Sequence, residues 1–465
     1  MQPRLTAALA ATRLAAFACA IGGRGGTSLP GLVGLRVDPL LVERLADGLG
    51  GALVVAGTNG KTTTSAWIGA ALRADRRRVL HNREGSNMLR GVATTLARRS
   101  ALSGHLSGRH APIGLFEVDE AALPAVLTQV CPSIVVVTNL FRDQLDRYAE
   151  LALIAESWRK PLEALPSGST LVLNADDPLV ASLGRHAAGR VLYFGVDSWP
   201  DAPHTESRRS ADSLYCPTCA APLTFTGLAY SHLGHYQCRE CGLRRPEPSL
   251  SARVRTEGPG DTTFSLTVGG KSVDVRLPTP GRYNVYNAVA AVAAATAAGV
   301  ELEIAARAVV GAKGVFGRAE TIEVDGRVVR LYLIKNPTGA DEVLEVIAAG
   351  DQGGDVLVLL NDNAADGRDV SWIWDARFEM LAGRGGRIAC AGTRAEDMAL
   401  RLKYAGVPDL GESLPNDVGK AVLLAVHRTQ VGGGLSIVAT YTAMLAARDA
   451  FARSGHVRQY WRRAG

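Results

Sequence analysis

Leu53-Val54-Val55-Ala56-Gly57-Thr58-Asn59-Gly60-Lys61-Thr62-Thr63-Thr64 is the stretch on which the reading of this 465-residue chain turns. An unbroken apolar run passes into a glycine loop, and an alanine-containing helical segment follows. Glycines let backbone N–H groups turn inward on a phosphate, and the helix N-terminus adds positive potential. In this pattern Gly57, Thr58, Asn59, Gly60, Lys61, Thr62 and Thr63 form an ATP-binding loop. Lys61 is expected to pair with the β- and γ-phosphates, and the Thr62 hydroxyl to bind Mg²⁺. The common form of this loop carries a glycine five positions before Gly60, where Val55 stands, so the loop is a shorter variant.

Outward from that loop, short β-rich runs at Leu53–Ala56, Ile134–Thr138, Thr170–Leu173 and Val191–Phe194 are separated by helix-length segments. Such alternation predicts an α/β domain with a mainly parallel sheet over residues 51–322. Residues 1–50 read as a helical lead-in, broken at Gly22–Gly26 and at Ser28-Leu29-Pro30-Gly31. Polar alternation at Thr263–Val268 and Ser272–Leu277 precedes an alanine-rich helix over Asn284–Ala298. Strand and helix signals then recur at Val328–Ile334, Val356–Leu360, Arg387–Ala391 and Leu435–Ala439. They predict a second α/β domain over 323–465.

Composition excludes several classes. With 47% hydrophobic and 21% charged residues, the chain is globular rather than disordered or fibrous. No unbroken apolar run approaches the roughly 18 residues of a membrane span. The apolar stretch Leu5–Ile21 is interrupted by Arg13 and lacks a clean cleavage site, so it reads as an amphipathic helix of a cytoplasmic protein. The net charge of +6 comes from scattered arginines rather than a basic stripe, which argues against a nucleic-acid-binding NTPase.

Of the seven cysteines, Cys19, Cys131 and Cys390 stand alone in apolar contexts. The other four form Cys216-Pro217-Thr218-Cys219 and Cys238-Arg239-Glu240-Cys241, inside a change of texture at about 205–250. Two such knuckles complete a tetrahedral thiolate shell for Zn²⁺. A closed shell leaves no open position for water, so the expected role is structural. Free or disulfide-bonded cysteines are the alternative. His232 and His235, between the knuckles, read as packing residues.

Asn361-Asp362-Asn363-Ala364-Ala365-Asp366-Gly367-Arg368-Asp369-Val370-Ser371-Trp372-Ile373-Trp374-Asp375 follows a buried strand, at the end where α/β sheets place their sites. It is either a functional loop that projects a carboxylate or an Asx-rich cap with its tryptophans in the core.

The loop Gly-Thr-Asn-Gly-Lys-Thr-Thr resembles that of the Mur ligases and folylpolyglutamate synthetases, which form amides through an acyl phosphate. Further motifs follow in that family's order: Phe116-Glu117-Val118-Asp119-Glu120, Thr138–Asp146, Leu173–Pro178, Gly281–Ala288 and Gly317-Arg318-Ala319-Glu320. The resemblance makes Glu117 a second Mg²⁺ ligand and sets Asn287 and Arg318 against the nucleotide. Departures are Gln144, Tyr283 and Ile334-Lys335-Asn336-Pro337, where the pattern has His, His and an acidic residue followed by His-Asn-Pro. Lys160 falls near the family's carbamylated lysine and is assigned no role. With only about 50 residues before the loop, the uridine-nucleotide-binding domain is expected to be absent, against a soluble UDP-linked substrate.

The four-cysteine insert, Arg142–Arg147, Asn361–Asp375, Gly392–Asp397 and Gly25–Pro30-Gly31 together resemble the MurT family. These are the synthetase subunits of lipid II isoglutaminyl synthase, which pair with a GatD-type glutaminase. The resemblance implies a Mur-ligase-like fold with an inserted zinc ribbon, ATP and Mg²⁺, and lipid II as substrate. The reaction it implies is amidation of the D-glutamate α-carboxylate with ammonia from the partner. It also implies an aspartate lent to the partner's Cys-His pair. That role is placed on Asp366, with Asp369 and Asp375 in reserve. An amino-acid-adding ligase acting alone is the alternative function.

Overall fold

The computed structural model describes residues 3–21, 28–82, 86–106, 108, 110–142, 151–200, 212–258, 260–312, 318–350, 353–407 and 414–457. Three helices come first: α1 (Pro3–Ile21), α2 (Leu29–Val37) and α3 (Leu41–Ala46). Then β1 (Ala52–Ala56) runs into α4 (Lys61–Ala74), followed by β2 (Val79–His81), α5 (Leu89–Arg99) and β3 (Ile113–Glu117).

The remaining strands of the central unit are β4 (Ile134–Val137), β5 (Thr170–Asn174), β6 (Arg190–Ser198), β9 (Leu250–Glu257), β10 (Thr262–Val268) and β11 (Lys271–Leu277). They form one sheet in the order β11-β10-β9-β6-β5-β4-β1-β3-β2. Pairs from β2 to β9 are parallel, and β9, β10 and β11 are antiparallel. The hairpin β7 (Leu223–Tyr230) and β8 (Leu233–Cys238) is a separate two-stranded sheet in the loop between β6 and β9.

Burial on both faces explains the continuous apolar runs of the parallel strands. On β1, Leu53 and Val55 face a core shared with α4 and the helix Arg282–Ala297. Alternate residues Ala52, Val54 and Ala56 face a second core shared with α1, α3 and α5. The alanine-rich helix is buried all round from Asn284 to Ala295, as a helix between sheet and helices must be.

The N-terminal lead-in is therefore part of the central domain. Its helices pack closely because α2 carries Gly31: a Cβ there would lie 1.8 Å from the Arg90 carbonyl oxygen of α5. The side of α1 that meets this core is Leu5, Ala8, Leu9 and Thr12. Its opposite side is apolar too, with Leu14, Phe17 and Ile21 exposed. This corrects the expectation of an amphipathic helix. By length and composition alone α1 is also apolar enough to cross a membrane, because only two arginines interrupt its 19 residues.

The C-terminal sheet has the order β12 (Arg318–Val324), β13 (Arg327–Leu333), β16 (Gly434–Ala439), β14 (Asp355–Leu359) and β15 (Ile388–Ala391). Only β12–β13 is antiparallel. Because β12 belongs to this sheet, the second unit begins by Arg318, a few residues before the expected boundary at 322/323.

Candidate functional site

Every element of the nucleotide loop leaves the carboxyl end of β1, where a parallel sheet opens a crevice. Gly60 has φ +85, and a Cβ there would lie 2.0 Å from Asn287 Oδ1, so two constraints select glycine. Loop and neighbour are locked together: Thr58 N donates to Asn139 O (2.9 Å), Asn59 N to Asn139 Oδ1 (2.8 Å) and Thr138 Oγ1 to Asn59 O (2.8 Å). The motif after β4 thus braces the loop after β1.

Lys61 is 7% exposed and turned back over its own loop. Its Nζ donates to the carbonyl oxygens of Gly57 and Thr58 and pairs with Glu120 at 3.2 Å. Glu120, itself 3% exposed, is held from behind by Trp158 Nε1, which donates to its carbonyl at 2.9 Å. Thr62 Oγ1 donates to Glu117 Oε1 at 2.8 Å, bringing together the two groups expected to hold Mg²⁺. Asn87 Nδ2 donates to the same carboxylate oxygen at 2.8 Å. Asn82 fixes the Glu117 backbone through two 2.8 Å bonds.

Asn287 lies on the helix Arg282–Ala297 with its side chain 3% exposed. Its Oδ1 accepts from Thr64 Oγ1 (3.4 Å), while Nδ2 is buried without a partner among the described residues. Thr63 Oγ1 is likewise buried and unpartnered there. Buried donors are normally satisfied, so these two atoms mark where a polar ligand completes the set. Asn287 borders an open cleft between the loop and the C-terminal domain, lined by Asn59, Gly60, Tyr230, Tyr283 and Lys335 among others. A nucleotide fits this donor set. The side chain of Arg318, at the start of β12, lies outside the described residues, as does Gln144.

The departure Ile334-Lys335-Asn336-Pro337 turns out to reach the loop. Lys335 Nζ donates to Thr58 O at 3.0 Å, and Asn336 Nδ2 donates to Asn59 Oδ1 at 3.1 Å. Arg142 of the central domain also meets Asp375 of the C-terminal domain at 3.5 Å.

In the insert, the four expected metal ligands Cys216, Cys219, Cys238 and Cys241 place their sulfurs within 4.8 Å of one another. Cys216–Cys241 and Cys219–Cys238 are each 3.5 Å apart. Four thiolates at about 2.3 Å from one ion would sit roughly 3.8 Å apart, so the set fits tetrahedral Zn²⁺. The Cys241 backbone N–H helps pull the Cys238 thiol down to about 7. The hairpin of the insert reaches into the domain beyond these knuckles. Its tip carries Tyr230 to the cleft wall and His232 to Asp177 (3.3 Å, both fully buried). Arg245 and Tyr286 converge on Asp176, each at 2.6 Å, which ties the insert to the helix bearing Asn287.

The acidic loop after β14 distributes its aspartates unequally. Asp366 is 6% exposed and turned inward. Its carboxylate accepts from Thr442 N (2.7 Å), Thr442 Oγ1 and Asn363 N (3.2 Å). Burial pushes its pKa above the ordinary carboxylate value, against those bonds. Asp369 is exposed, and bonds from Ser371 hold its pKa below that value. Asp375 is exposed and engaged by Arg142. Trp374 is exposed beside Tyr404, ring centroids 5.7 Å apart, whereas Ile373 is buried. The loop is both things at once: an Asx-rich cap at Asp366 and a projecting edge at Asp369.

Several residues of the site escaped the sequence reading. Asn82 and Asn87 carry no motif, and Tyr230 is remote in sequence. Glu120 was in view, at the end of the quoted acidic motif.

The chain and its fold have counterparts among known proteins. Residues 55–216 match the Mur ligase middle domain, and residues 333–444 match the MurT ligase C-terminal domain. The chain is 34% identical over 461 residues to the lipid II isoglutaminyl synthase (glutamine-hydrolyzing) subunit MurT of Streptococcus pneumoniae, covering 99% of each chain. It is 33% identical to the protein of the same name from Staphylococcus aureus, over 95% of this chain and 96% of that one. Among solved structures, a pseudomurein peptide ligase type C from Methanothermus fervidus superposes with a TM-score of 0.67 at 22% identity, covering 87% of this chain and 79% of that chain.

Proposed function

Because the chain belongs to the MurT family of Mur-type ligases, we propose that it is the ATP-consuming subunit of a lipid II isoglutaminyl synthase in peptidoglycan synthesis. The α-carboxylate of the stem-peptide D-glutamate attacks the γ-phosphorus of ATP, forming an acyl phosphate and releasing ADP. Ammonia then attacks the acyl carbon, the C–O bond to phosphate breaks, and the carboxamide of D-isoglutamine remains. The alternative of an amino-acid-adding ligase would work alone and consume an amino acid.

The observation that carries this reading is that one loop after β1 holds Lys61 and the Thr62–Glu117 pair and packs its Gly60 against Asn287, whose unpartnered Nδ2 lies at the cleft wall. Lys61 exchanges Glu120 for the β/γ-phosphates when ATP arrives. Gly57, Thr58, Asn59, Gly60 and Thr63 cradle the phosphates, while Asn287 and Arg318 position the nucleotide. Mg²⁺ held by Thr62 and Glu117 supplies charge neutralisation on the phosphates. Zn²⁺ on the four cysteines is structural and holds the insert whose tip forms one wall of the cleft.

The ammonia source is a GatD-type glutaminase subunit bound at the Asn361–Asp375 edge. An aspartate orients the imidazole of a Cys-His pair by accepting its N–H, and to do so it must reach beyond its own chain. Asp366, the first choice from sequence, spends its oxygens on Thr442 and Asn363. Asp369 is exposed and ionised with capacity to spare, so the role falls to Asp369, and Asp366 shapes the loop. Exposed Trp374 and Tyr404 offer an aromatic anchor beside it.

The work is cytoplasmic, at the inner membrane face where the substrate lies. The test combines the purified chain, a GatD-type glutaminase, ATP, glutamine and lipid II, read by mass spectrometry of the stem peptide. Amide at D-glutamate supports the reading. Unamidated lipid II, or amidation by an amino acid without the partner, overturns it.

A further inference from the structure

Residues 1–37 and 85–116 contain not one Asp or Glu, although the chain has 45 in all. These two segments fold together, because α1 packs on α2 and α2 on α5. On the outer side of this acid-free layer, Ala7, Ala10, Leu14, Phe17 and Ile21 recur at steps of three and four and form one exposed stripe down α1. Leu14, Phe17 and Ile21 are 69%, 65% and 74% exposed. A stripe this apolar and this open marks a surface that something covers.

Charge indicates what covers it. Arg4 and Arg13 lie on α1 itself, exposed Arg36 ends α2 and exposed Arg99 ends α5. Arg4 donates to Val37 O and Arg13 to Ser100 O, so the helix ends that carry Arg36 and Arg99 adjoin the stripe. An apolar helix face framed by arginines, with no carboxylate on α1, α2 or α5, matches a bilayer rich in anionic headgroups. The helix does not leave the protein to get there, since Ala8, Leu9 and Thr12 on its other side are fully buried.

We propose that the exposed stripe of α1 and its flanking arginines seat the protein on an anionic lipid bilayer, lying in the interface rather than spanning it. The layer is also coupled to the chemistry. Ser28 Oγ, just before α2, lies 3.4 Å from Ser86 Oγ, and the next residue, Asn87, donates to Glu117. This inference deepens the proposed function by naming the surface that brings the chain to a lipid-linked substrate, and its binding arm is independent of that substrate.

The test uses the chain with its glutaminase partner and vesicles free of lipid II. Wild-type complex is expected to co-sediment with vesicles of phosphatidylglycerol and phosphatidylethanolamine, and to be released by raised salt. Phosphatidylcholine vesicles should bind it at least tenfold less. F17E and the double variant L14E/I21E change only exposed side chains. They should reduce binding to the anionic vesicles at least tenfold while leaving ATP affinity and zinc content unchanged. With lipid II in vesicles, F17E should raise the apparent KM for lipid II, and in detergent micelles wild type and variant should match.

Failure of the wild type to bind anionic vesicles overturns the inference, as does equal binding by both variants. A wild-type dimer, or glutaminase assembly, that F17E breaks also overturns it, because a protein then covers the stripe. Absence of amidation in micelles would instead sink the proposed function, so the two failures are distinguishable.

Discussion

Two loops of this molecule follow buried parallel strands, yet they are built to opposite ends. The loop after β1 closes on itself: Lys61 rests on Glu120, Thr62 on Glu117, and Asn59 on Asn139 and Asn336. Its unmet donors are the small set a nucleotide would occupy. The loop after β14 satisfies one aspartate internally and leaves another exposed, and its aromatic pair Trp374–Tyr404 faces solvent. The first loop is a site complete within one chain, apart from its ligand. On the proposed reading, the second is half a site that a partner subunit completes.

The contrast is broken most severely at Lys61. Lys61→Ala removes the cation expected on the transferred phosphate and should cut amidation by about 10³-fold or more, with glutamine and with ammonia alike. Steady-state rates with each nitrogen source check this. A variant that loses only the glutamine-dependent rate would put Lys61 outside the phosphoryl transfer.

Asp369→Asn should do the reverse. Glutamine-dependent amidation falls by roughly 10²–10⁴-fold, the scale of losing a triad's orienting carboxylate, while added ammonia restores the rate. Asp366→Asn, in parallel, should keep most of the glutamine-dependent rate. If Asp366→Asn shows the ammonia-rescued loss and Asp369→Asn does not, the orienting role returns to Asp366.

A smaller effect belongs to Asn287. Removing one buried amide contact to the nucleotide should cost about 1–1.5 kcal/mol, roughly a tenfold rise in the ATP KM with kcat little changed. Calorimetric titration of ATP against Asn287→Ala measures it, and unchanged affinity would remove the residue from the nucleotide site.

The same contrast explains what could be read from sequence. The loop after β1 was legible because phosphate binding constrains spacing: glycines where backbone must approach, a lysine and a hydroxyl at fixed steps. The strands β1, β4 and β5 were legible as apolar runs because both faces are buried, and β6 as an apolar run half-buried at its start. Asn82 and Asn87 were not, since their roles come from tertiary contacts between β3, β2 and the start of α5, and Glu120, though inside a legible motif, gains its role only from Lys61 and Trp158. Tyr230 reaches the cleft through the docking of an insert, which no local pattern encodes. The choice between Asp366 and Asp369 hinged on which carboxylate Thr442 engages, 76 residues away in sequence from Asp366. The apolar outer side of α1 was written in the sequence, but Arg13 obscured it until the helix showed which face is packed.

The finest distinction between the two aspartates is in pH. Burial raises the pKa of Asp366, so the folded state favours its protonated form. That contribution to stability is present below the ordinary carboxylate pKa and is lost as pH rises through the raised value. The stability of wild type relative to Asp366→Asn should therefore decline as pH rises through the carboxylate range. Asp369 has the opposite sign, because Ser371 holds its pKa down. Its contribution is present above the ordinary pKa and lost as pH falls through the lowered one, so wild type should gain on Asp369→Asn over the same interval. Thermal melts of the three proteins across that interval measure both slopes. Parallel slopes for the two variants would mean that the carboxylates share one environment, and the division between an inward loop-former and an outward, partner-facing aspartate would fall.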